Sequence, residues 1–278
     1  MMRYFSVWVV LLSGVSAAMI RAAPAPVPAD NNKVIIRWHG QSMFEIISTK
    51  GTRIVTDPHA IDAYGRPQVQ ADLVLLSHFH VDHTAVDAVT NLKQAKQINA
   101  LKKDENGHDT WNIVDLKFKD IRIQTVGTYH DDMAGMQRGK NGVFVIDMDG
   151  LRIVHLGDLG HLLRGEQLRK IRKVDDKPRE QHPIDVLMIP VGGVYTLNGL
   201  DAQKVVEQLK PTRYILPMHY GTRVYTELLD LTHFLDEQKM GKVERFLRSN
   251  EITIDPRSKP PEQPIIAILN WEKKGPKE

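Results

Sequence analysis

The most chemically dense segment of the chain is SHFHVDHT, in which His78, His80, Asp82 and His83 lie within six residues. Imidazole and carboxylate groups bind zinc and similar divalent ions, and they can leave coordination positions open for water. In an extended stretch His78 and His80 point to the same side, whereas Asp82 and His83 follow a turn and can face a second ion. The segment therefore predicts a site for divalent cations, and the alternative is a polar turn with exposed histidines.

A six-residue run cannot complete two coordination shells, so further ligands are expected elsewhere in the chain. The candidates are His130, Asp158 and His219, each of which comes just after a predicted strand. Loops at strand ends are where binding and catalytic residues collect. Taken singly each residue has a structural alternative, since an aspartate beside glycine is commonly a turn residue. Together they suit a site for two cations.

The elements that must position these residues alternate along the chain. Apolar and alternating runs predict strands at Val34–Trp38, Phe44–Ile47, Arg53–Asp57, Leu73–Ser77, Ile121–Thr128, Gly142–Met148, Arg152–Leu156, Val186–Pro190, Arg213–Pro217, Ile252–Ile254 and Ile265–Leu269. Helical spacing predicts helices after Thr84 and at Leu162–Arg172, Ala202–Leu209 and Thr226–Gln238. Two polar stretches, 101–110 and 173–182, are expected to be surface loops. This mixture predicts layers with sheet inside and helices outside.

The first thirty residues differ from the rest of the chain. A basic start at Arg3 is followed by a mostly apolar run to Ile20 and then by small residues, which is typical of a secretory signal peptide over residues 1–23. The alternative is an uncleaved anchor, but the run contains serines and is shorter than the ~20 residues that a span needs. Residues 24–32 then form a Pro/Ala-rich linker, 33–272 the folded domain and 273–278 a charged tail. We therefore expect export to the periplasm or the extracellular space.

The amino-acid composition argues against several classes of protein and of catalytic group. The chain has 42% hydrophobic and 26% charged residues, which argues against both disorder and a protein with many membrane spans. Removing residues 1–23 takes away two arginines and no acid, so the net charge falls from +3 to +1 and gives little support for nucleic-acid binding. The absence of cysteine excludes disulfides and thiolate nucleophiles. No G-x-S-x-G motif supports a serine nucleophile.

The order H-x-H-x-D-H, followed by separate His, Asp and His residues, resembles the metallo-β-lactamase superfamily over about Val34 to Trp271. Within it the chain is similar to the small metal-dependent hydrolases grouped with ascorbate-6-phosphate lactonase, through the segments WHGQSMF, TDP, GD, PVGGVYTL and PMHYGT. The resemblance implies an α/β fold, namely a four-layer αββα sandwich. Relatives usually carry Gly-His where this chain has Gly40-Gln41 and a histidine, His39, before the glycine. This departure puts the shape of the nearby pocket in doubt but not metal binding.

The resemblance also implies a ligand set. One cation would be held by His78, His80 and His130, the other by Asp82, His83 and His219, and Asp158 would bridge both. Zn²⁺ is the implied cofactor, at about two ions per chain, with Mn²⁺ or another divalent ion as an alternative. Asp82 and Asp158 are the candidate catalytic carboxylates. A water between two such cations loses its proton near neutral pH, and the hydroxide would attack a carbonyl carbon or a phosphorus atom.

The sequence thus predicts an exported metal-dependent hydrolase that cleaves an ester, lactone or phosphoester bond of a small molecule. A nuclease or phosphodiesterase acting on nucleic acid is one alternative, opposed by the net charge and by the lack of an inserted clamping domain. A non-catalytic metal-binding protein is another, opposed by the presence of every expected ligand. No nucleic-acid partner and no membrane span after signal cleavage are expected, and no pattern indicates an oligomeric state. Weaker candidates for positions around the site are Asp57, His161, Gly192-Gly193, Tyr195 and Tyr220.

Overall fold

The computed structural model describes residues 32–174, 177–181, 183–236 and 240–272. The predicted signal peptide, the tail and all but the last residue of the predicted linker lie outside the described residues. In the described part of the chain, no helix is long and apolar enough to cross a bilayer.

The described residues contain eighteen strands and three α-helices. The strands are β1 (Val34–Trp38), β2 (Phe44–Ile47), β3 (Arg53–Thr56), β4 (Leu73–Leu76), β5 (Lys96–Asn99), β6 (Leu101–Lys103), β7 (Asp109–Trp111), β8 (Asp115–Phe118), β9 (Ile121–Tyr129), β10 (Lys140–Met148), β11 (Leu151–His155), β12 (Lys173–Val174), β13 (Lys177–Gln181), β14 (Val186–Pro190), β15 (Tyr214–Met218), β16 (Lys242–Phe246), β17 (Glu251–Ile254) and β18 (Ile265–Leu269). The helices are α1 (Gly165–Arg172), α2 (Gly199–Leu209) and α3 (Thr232–Leu235). Short 3-10 helices cover Asp62–Tyr64, Val81–His83 and Val86–Ala88.

Two large sheets form the centre of the molecule. One has six strands in the order β17-β1-β2-β3-β4-β5, and the other has eight in the order β16-β18-β15-β14-β11-β10-β9-β8. Two small hairpins, β6–β7 and β12–β13, lie beside them. The turn between β10 and β11 is the Asp149-Gly150 pair that the sequence predicts, and both residues have the positive φ that such a tight hairpin requires.

The two sheets share one apolar core, and further layers cover their outer faces. Ile36 and Phe44 of the six-stranded sheet and Phe144 of the eight-stranded sheet belong to this core and are fully buried. Buried side chains of α1 and α2 join the same core. On the other face of the six-stranded sheet a separate apolar cluster packs Val55 and Val74 against the segment that follows Val86. The predicted four-layer αββα sandwich is confirmed, with turns and 3-10 helices in place of long helices on one side.

Two predicted helices are wrong in extent. After Thr84 the chain forms only a 3-10 turn, because its backbone bonds to neighbouring segments: Ala85 donates to the carbonyl of Pro58, and Thr90 donates to that of Val69. The apolar residues there face the sheet without a helix. The helix predicted at Thr226–Gln238 is reduced to α3 in the described residues, since Leu229 donates instead to the carbonyl of Gly192.

The two predicted surface loops also contain strands. Residues 101–110 include β6 and the start of β7, and residues 173–182 include β12 and β13. Both hairpins are rich in polar residues, so periodicity gave no strand signal. Strands β5, β8 and β16 were not predicted either, although β8 alternates polar and apolar residues.

Candidate metal centre

Four strands deliver the candidate ligands to one edge of the sheets. His130 follows β9, Asp158 comes shortly after β11 and His219 follows β15. Because β9 and β11 both run antiparallel to β10, and β11, β14 and β15 are parallel, these strands end at the same edge. The histidine-rich segment follows β4 of the other sheet, and its second half is the 3-10 helix Val81–His83.

Four of the candidate histidines surround one carboxylate oxygen. The Oδ2 atom of Asp158 lies 3.1 Å from Nε2 of His83, 3.1 Å from Nε2 of His219, 3.2 Å from Nε2 of His130 and 3.9 Å from Nε2 of His78. Three groups of residues each have potential ligand atoms that lie within 4.8 Å of one another, and one of these groups joins Asp57 to His78 and His83. The other two are His78 with His80 and His130, and Asp82 with His83 and His219. These are the two groups that the family resemblance implies, with Asp158 between them.

The hydrogen bonds made by the histidine rings indicate which ring nitrogens are free to bind cations. The Nδ1–H of His83 donates to Asp57 (3.1 Å), and the Nδ1–H of His130 donates to the carbonyl of Tyr195 (3.1 Å). In the neutral rings the lone pairs on Nε2 then face the Asp158 carboxylate, an arrangement that is repulsive unless a positive charge, that of a metal cation or of an added proton, lies between them. Two ligands about 2.1 Å from one ion in a tetrahedral shell are roughly 3.4 Å apart, close to the distances observed. Nε2 of His78 and Nε2 of His83 are buried without a hydrogen-bond partner among the described residues. The site therefore fits two divalent cations.

A buried hydrogen-bond network behind the site fixes the orientation of two rings. Asp57 accepts from the backbone N–H of Ser77 (2.7 Å), from its hydroxyl (2.6 Å) and from Nδ1–H of His83. Since the Ser77 hydroxyl donates to Asp57, it accepts from Nδ1–H of His78 (2.9 Å). One carboxylate thus directs the lone pairs of His78 and His83 towards the cavity. Partners of this kind hold metal-binding histidines in the correct tautomer. Asp57 was predicted to act in this position, whereas Ser77 was not.

Gln41 connects the two ends of the second ligand group. The side-chain amide of Gln41 donates to Oδ2 of Asp82 (2.9 Å), and the backbone carbonyl of Gln41 accepts from the backbone N–H of His219 (3.1 Å). The same backbone carbonyl also accepts from Nε1–H of Trp38, which further fixes the position of Gln41. Gln41 therefore holds the Asp82 side chain and the His219 backbone.

Neighbouring charges determine the protonation of the site. Burial raises the pKa of Asp158, but the facing imidazoles of His219, His83 and His130 lower it well below the ordinary value, so the group is a carboxylate. Burial lowers the pKa of His83, but Asp158, Asp57 and Asp82 outweigh burial and raise it well above the ordinary value. Burial lowers the pKa of His78 well below its ordinary value.

Close backbone approaches allow the ligand loops to converge. A side chain on Gly160 would meet the carbonyl oxygen of His130, and a side chain on Gly192 would meet that of His219. Asn141 completes the frame, since its side chain accepts from the backbone N–H of Asp158 (3.0 Å) and donates to the carbonyl of Leu156 (2.9 Å). Gly192 is one of the weaker candidates from the sequence, and its close approach to His219 explains why this position is glycine.

Five of the candidate ligands line a cavity of about 510 Å³, namely His80, Asp82, His130, Asp158 and His219. Its lining is completed by side chains of mixed character: Phe79, Val81, Arg138 and Tyr195. Sequence reasoning missed Phe79, Val81 and Arg138. Val81 and Phe79 alternate with the ligands in the histidine-rich segment and could have been found from that, but Arg138 lies in an irregular loop without any sequence signal.

The other weak candidates have different places. Tyr195 lines the cavity, whereas the buried Tyr220 stacks on Trp38 with ring centroids 5.3 Å apart. His161 accepts from the backbone N–H of Tyr129 (3.1 Å), and its other ring nitrogen contacts the carbonyl of Leu162 (2.8 Å). His161 therefore stabilises the loop after Asp158. Neither of its two hydrogen bonds reaches the ring of a candidate ligand.

Known proteins are similar to this chain in sequence and in fold. Residues 35–219 match the beta-lactamase superfamily domain. A UPF0173 metal-dependent hydrolase of Thermococcus onnurineus is 33% identical over 68% of this chain and 85% of its own length. Another, from Thermoplasma acidophilum, is 31% identical over 69% of this chain and 85% of its own. A solved Thermotoga maritima structure, assigned to the zinc-dependent hydrolases of the metallo-β-lactamase superfamily, has 29% identity and a TM-score of 0.60, covering 84% of this chain and 98% of that one.

Fold and site together define a metal-dependent hydrolase. The chain belongs to the metallo-β-lactamase superfamily.

Proposed function

We propose that the protein is an exported hydrolase that holds two divalent cations, with Zn²⁺ as the first candidate, and cleaves an ester, lactone or phosphoester bond of a small molecule. In this proposal His78, His80 and His130 hold one cation, Asp82, His83 and His219 hold the other, and Asp158 bridges them. The similarity to ascorbate-6-phosphate lactonase remains a prediction from the sequence. It is used here only to choose the kinds of bond that are proposed to be cleaved.

One observation carries this proposal: a single oxygen, Oδ2 of Asp158, is surrounded by four imidazole nitrogens from three different loops. Buried polar groups are normally satisfied by hydrogen bonds. Here the Nδ1 hydrogens of His83 and His130 are used elsewhere, so these rings cannot satisfy Asp158 in their neutral form. A bridging carboxylate between two cations accounts for the arrangement.

The residues of this chain prepare the reaction centre. Bound cations would supply Lewis acidity, which lowers the pKa of water and stabilises negative charge on a substrate oxygen. Asp57 keeps the Nδ1 proton of His83, and the Tyr195 carbonyl keeps that of His130, so both rings present Nε2 to the site. Asp158 contributes negative charge at the centre, and Ser42 donates to its other oxygen (3.3 Å).

The size and place of the cavity support a small-molecule substrate. Ligand pockets of this kind are usually ~300–1,000 Å³, and this cavity is about 510 Å³. The apolar amino-terminal run supports export of the enzyme, with cleavage after about residue 23. With the predicted signal peptide removed, the net charge of +1 favours a small substrate over nucleic acid.

Metal analysis and turnover test the proposal together. Gently purified protein should contain about two transition-metal ions per chain by elemental analysis. The loaded protein should hydrolyse at least one member of a panel of aryl esters, lactones and phosphodiesters. Metal content near zero after reconstitution, or full loading without turnover on the panel, would contradict the proposal.

Asp158→Ala tests the bridging role. We expect the rate to fall by at least roughly 100-fold while circular dichroism shows a folded protein, because a ligand shared by two cations is lost. Asp72→Ala is the matched control, since this aspartate precedes β4 at the end opposite His78. Unchanged turnover of the Asp158 variant would remove this residue from the mechanism.

A further inference from the structure

Arg138 brings a positive charge to the cavity that the candidate cation site does not require. Among the described residues that line this cavity, it is the only lysine or arginine, and the other charged residues are the candidate ligands Asp82 and Asp158. Among the described residues, no carboxylate forms an ion pair with its guanidinium. A charge without a counterion beside a candidate reaction centre is available to a ligand.

The guanidinium is held in a fixed position. It donates from Nη2 to the carbonyl of Val194 (3.0 Å) and lies over the ring of Tyr195, 5.6 Å from its centroid. A further contact joins Nη1 to the side chain of Gln137 (3.3 Å). Since a guanidinium has five N–H groups, three of them have no acceptor among the described residues. These contacts position the arginine, which keeps donors for a planar or tetrahedral anion.

The loop that carries Arg138 is itself well anchored. The buried Asp131 carboxylate accepts from four backbone N–H groups of this loop, including that of Arg138 (2.7 Å). On the opposite side, Val194 has a φ of 56°, which is rare for a β-branched residue. Backbone strain of this kind is retained where surrounding contacts fix it, often at ligand sites.

One turn links Arg138 to the candidate metal ligands. The Val194 carbonyl accepts from Arg138, and the next carbonyl, that of Tyr195, accepts from the ring of His130. The distance between the guanidinium and His130 is thereby set by two adjacent residues. This arrangement would orient a substrate that contacts both Arg138 and the candidate cations.

The remaining walls are apolar. Val81 is 88% exposed and Tyr195 is 47% exposed, and both line the cavity together with Phe79. Apolar side chains this exposed usually occur singly on protein surfaces, but here they line the same cavity as the guanidinium of Arg138. A ligand that matches the lining combines an apolar body with one anionic group.

We propose that Arg138 binds an anionic group of the substrate, a carboxylate or a phosphate, which is not the group that is cleaved. The substrate class is then a small apolar ester, lactone or phosphoester that carries a negative charge. This inference rests on the proposed function for the bond that is cleaved, but binding through Arg138 is measurable without turnover.

A matched pair of esters tests the preference. The mono-para-nitrophenyl ester of glutaric acid carries a terminal carboxylate, and para-nitrophenyl valerate has the same chain length with a terminal methyl group. We expect the metal-loaded enzyme to have a KM about tenfold or more lower for the glutarate ester, with similar kcat, because a charge-assisted hydrogen bond is made equally in the bound and transition states. Equal KM values for the two esters would overturn the proposal.

Variants assign the preference to Arg138. Arg138→Gln should lose the preference, and Arg138→Lys should restore part of it, since lysine keeps the charge but not the planar donor pair. Arg223→Gln is the matched control, because Arg223 also stacks on an aromatic ring, that of Trp271 at 4.9 Å, but does not line this cavity. A preference that persists in Arg138→Gln, or that is equally lost in Arg223→Gln, would refute the role of Arg138.

Calorimetry tests anion binding by Arg138 independently of hydrolysis. It also shows whether the bound anion is a carboxylate or a phosphate. Phenylacetate, phenylphosphonate and benzyl alcohol are titrated into metal-loaded wild-type and Arg138→Gln protein. We expect at least one anion to bind roughly tenfold or more weaker to the variant, while benzyl alcohol shows no difference. Equal anion affinities would overturn the inference even if the esters are hydrolysed. Weakened anion binding in a protein that hydrolyses neither ester would support it while contradicting the proposed function.

Discussion

Replacing Asp57 with asparagine should weaken cation binding without touching a candidate ligand. Asp57 is fully buried, and it accepts three hydrogen bonds, of which two reach its Oδ2 atom from Ser77 and His83. Asparagine has nearly the same shape, and it tolerates the positive φ of 40° that Asp57 adopts. The substitution therefore changes the proton pattern rather than the backbone.

The change reverses the direction of hydrogen bonding behind the site. If the amide oxygen stays with the backbone N–H of Ser77, an NH₂ group replaces Oδ2 and faces Nδ1–H of His83, so two donors meet. The same NH₂ can donate to the Ser77 hydroxyl, which then donates to Nδ1 of His78. Both rings are driven to carry their proton on Nε2, the atom that faces Asp158.

The expected magnitude follows from the lost contacts. Removing a partner that orients a metal-bound histidine typically costs ~10–100-fold in metal affinity, and here two rings depend on one carboxylate. We expect the zinc affinity of Asp57→Asn to fall by about 100-fold. A lost hydrogen bond to a buried charge costs about 1.5–3 kcal/mol, so the free energy of unfolding of the metal-free protein should fall by roughly that amount.

The assay is competition for zinc against a chromophoric chelator, with thermal unfolding of the metal-free protein in parallel. Asp185→Asn is the control, because Asp185 is also buried and accepts from the backbone N–H of Arg152 and from the side chain of Arg213, away from the site. The control should lose stability but keep its zinc affinity. The reasoning fails if Asp57→Asn binds zinc as the wild type does, or if both variants weaken zinc binding equally.

Two other predictions concern the loop of Arg138 and the amino terminus. Burial raises the pKa of Asp131, but four backbone N–H groups lower it, and the net shift is downward. Its stabilising contribution is therefore present above about pH 4 and is lost as the pH falls through the depressed pKa. Asp131→Asn should lower the free energy of unfolding by about 1–3 kcal/mol at pH 7, and the difference from wild type should shrink in acid; a difference that is constant with pH would contradict this. The mature protein should begin between about Ala18 and Pro26, as intact mass analysis of the protein from its native host would show, whereas mature protein starting at Met1 would contradict cleavage.

The sequence predicted most of the central strands and the place of each candidate ligand relative to them. Strands β1, β2, β14 and β18 have the predicted bounds, because each is an apolar or alternating run whose burial decides its structure. The helix predicted after Thr84 is wrong because spacing alone does not show whether backbone N–H groups find partners in a neighbouring segment. Tertiary hydrogen bonds replaced the helical ones there.

The chemistry of the candidate site was readable because it depends on side-chain type and on residues close in the chain. Three imidazoles and a carboxylate within six residues indicate a cation site whatever surrounds them. The order of the later histidines and aspartate added the family resemblance. Neither property requires knowledge of which strands pair.

Only the tertiary structure decided the distances and the proton positions. His130, Asp158 and His219 meet because the strands before them run in one direction in one sheet, and strand direction is a collective result of pairing over long sequence separations. The tautomers of the rings depend on acceptors that are remote in the chain. Arg138 likewise enters the cavity through contacts with a turn 56 residues away, and no local pattern records such a contact.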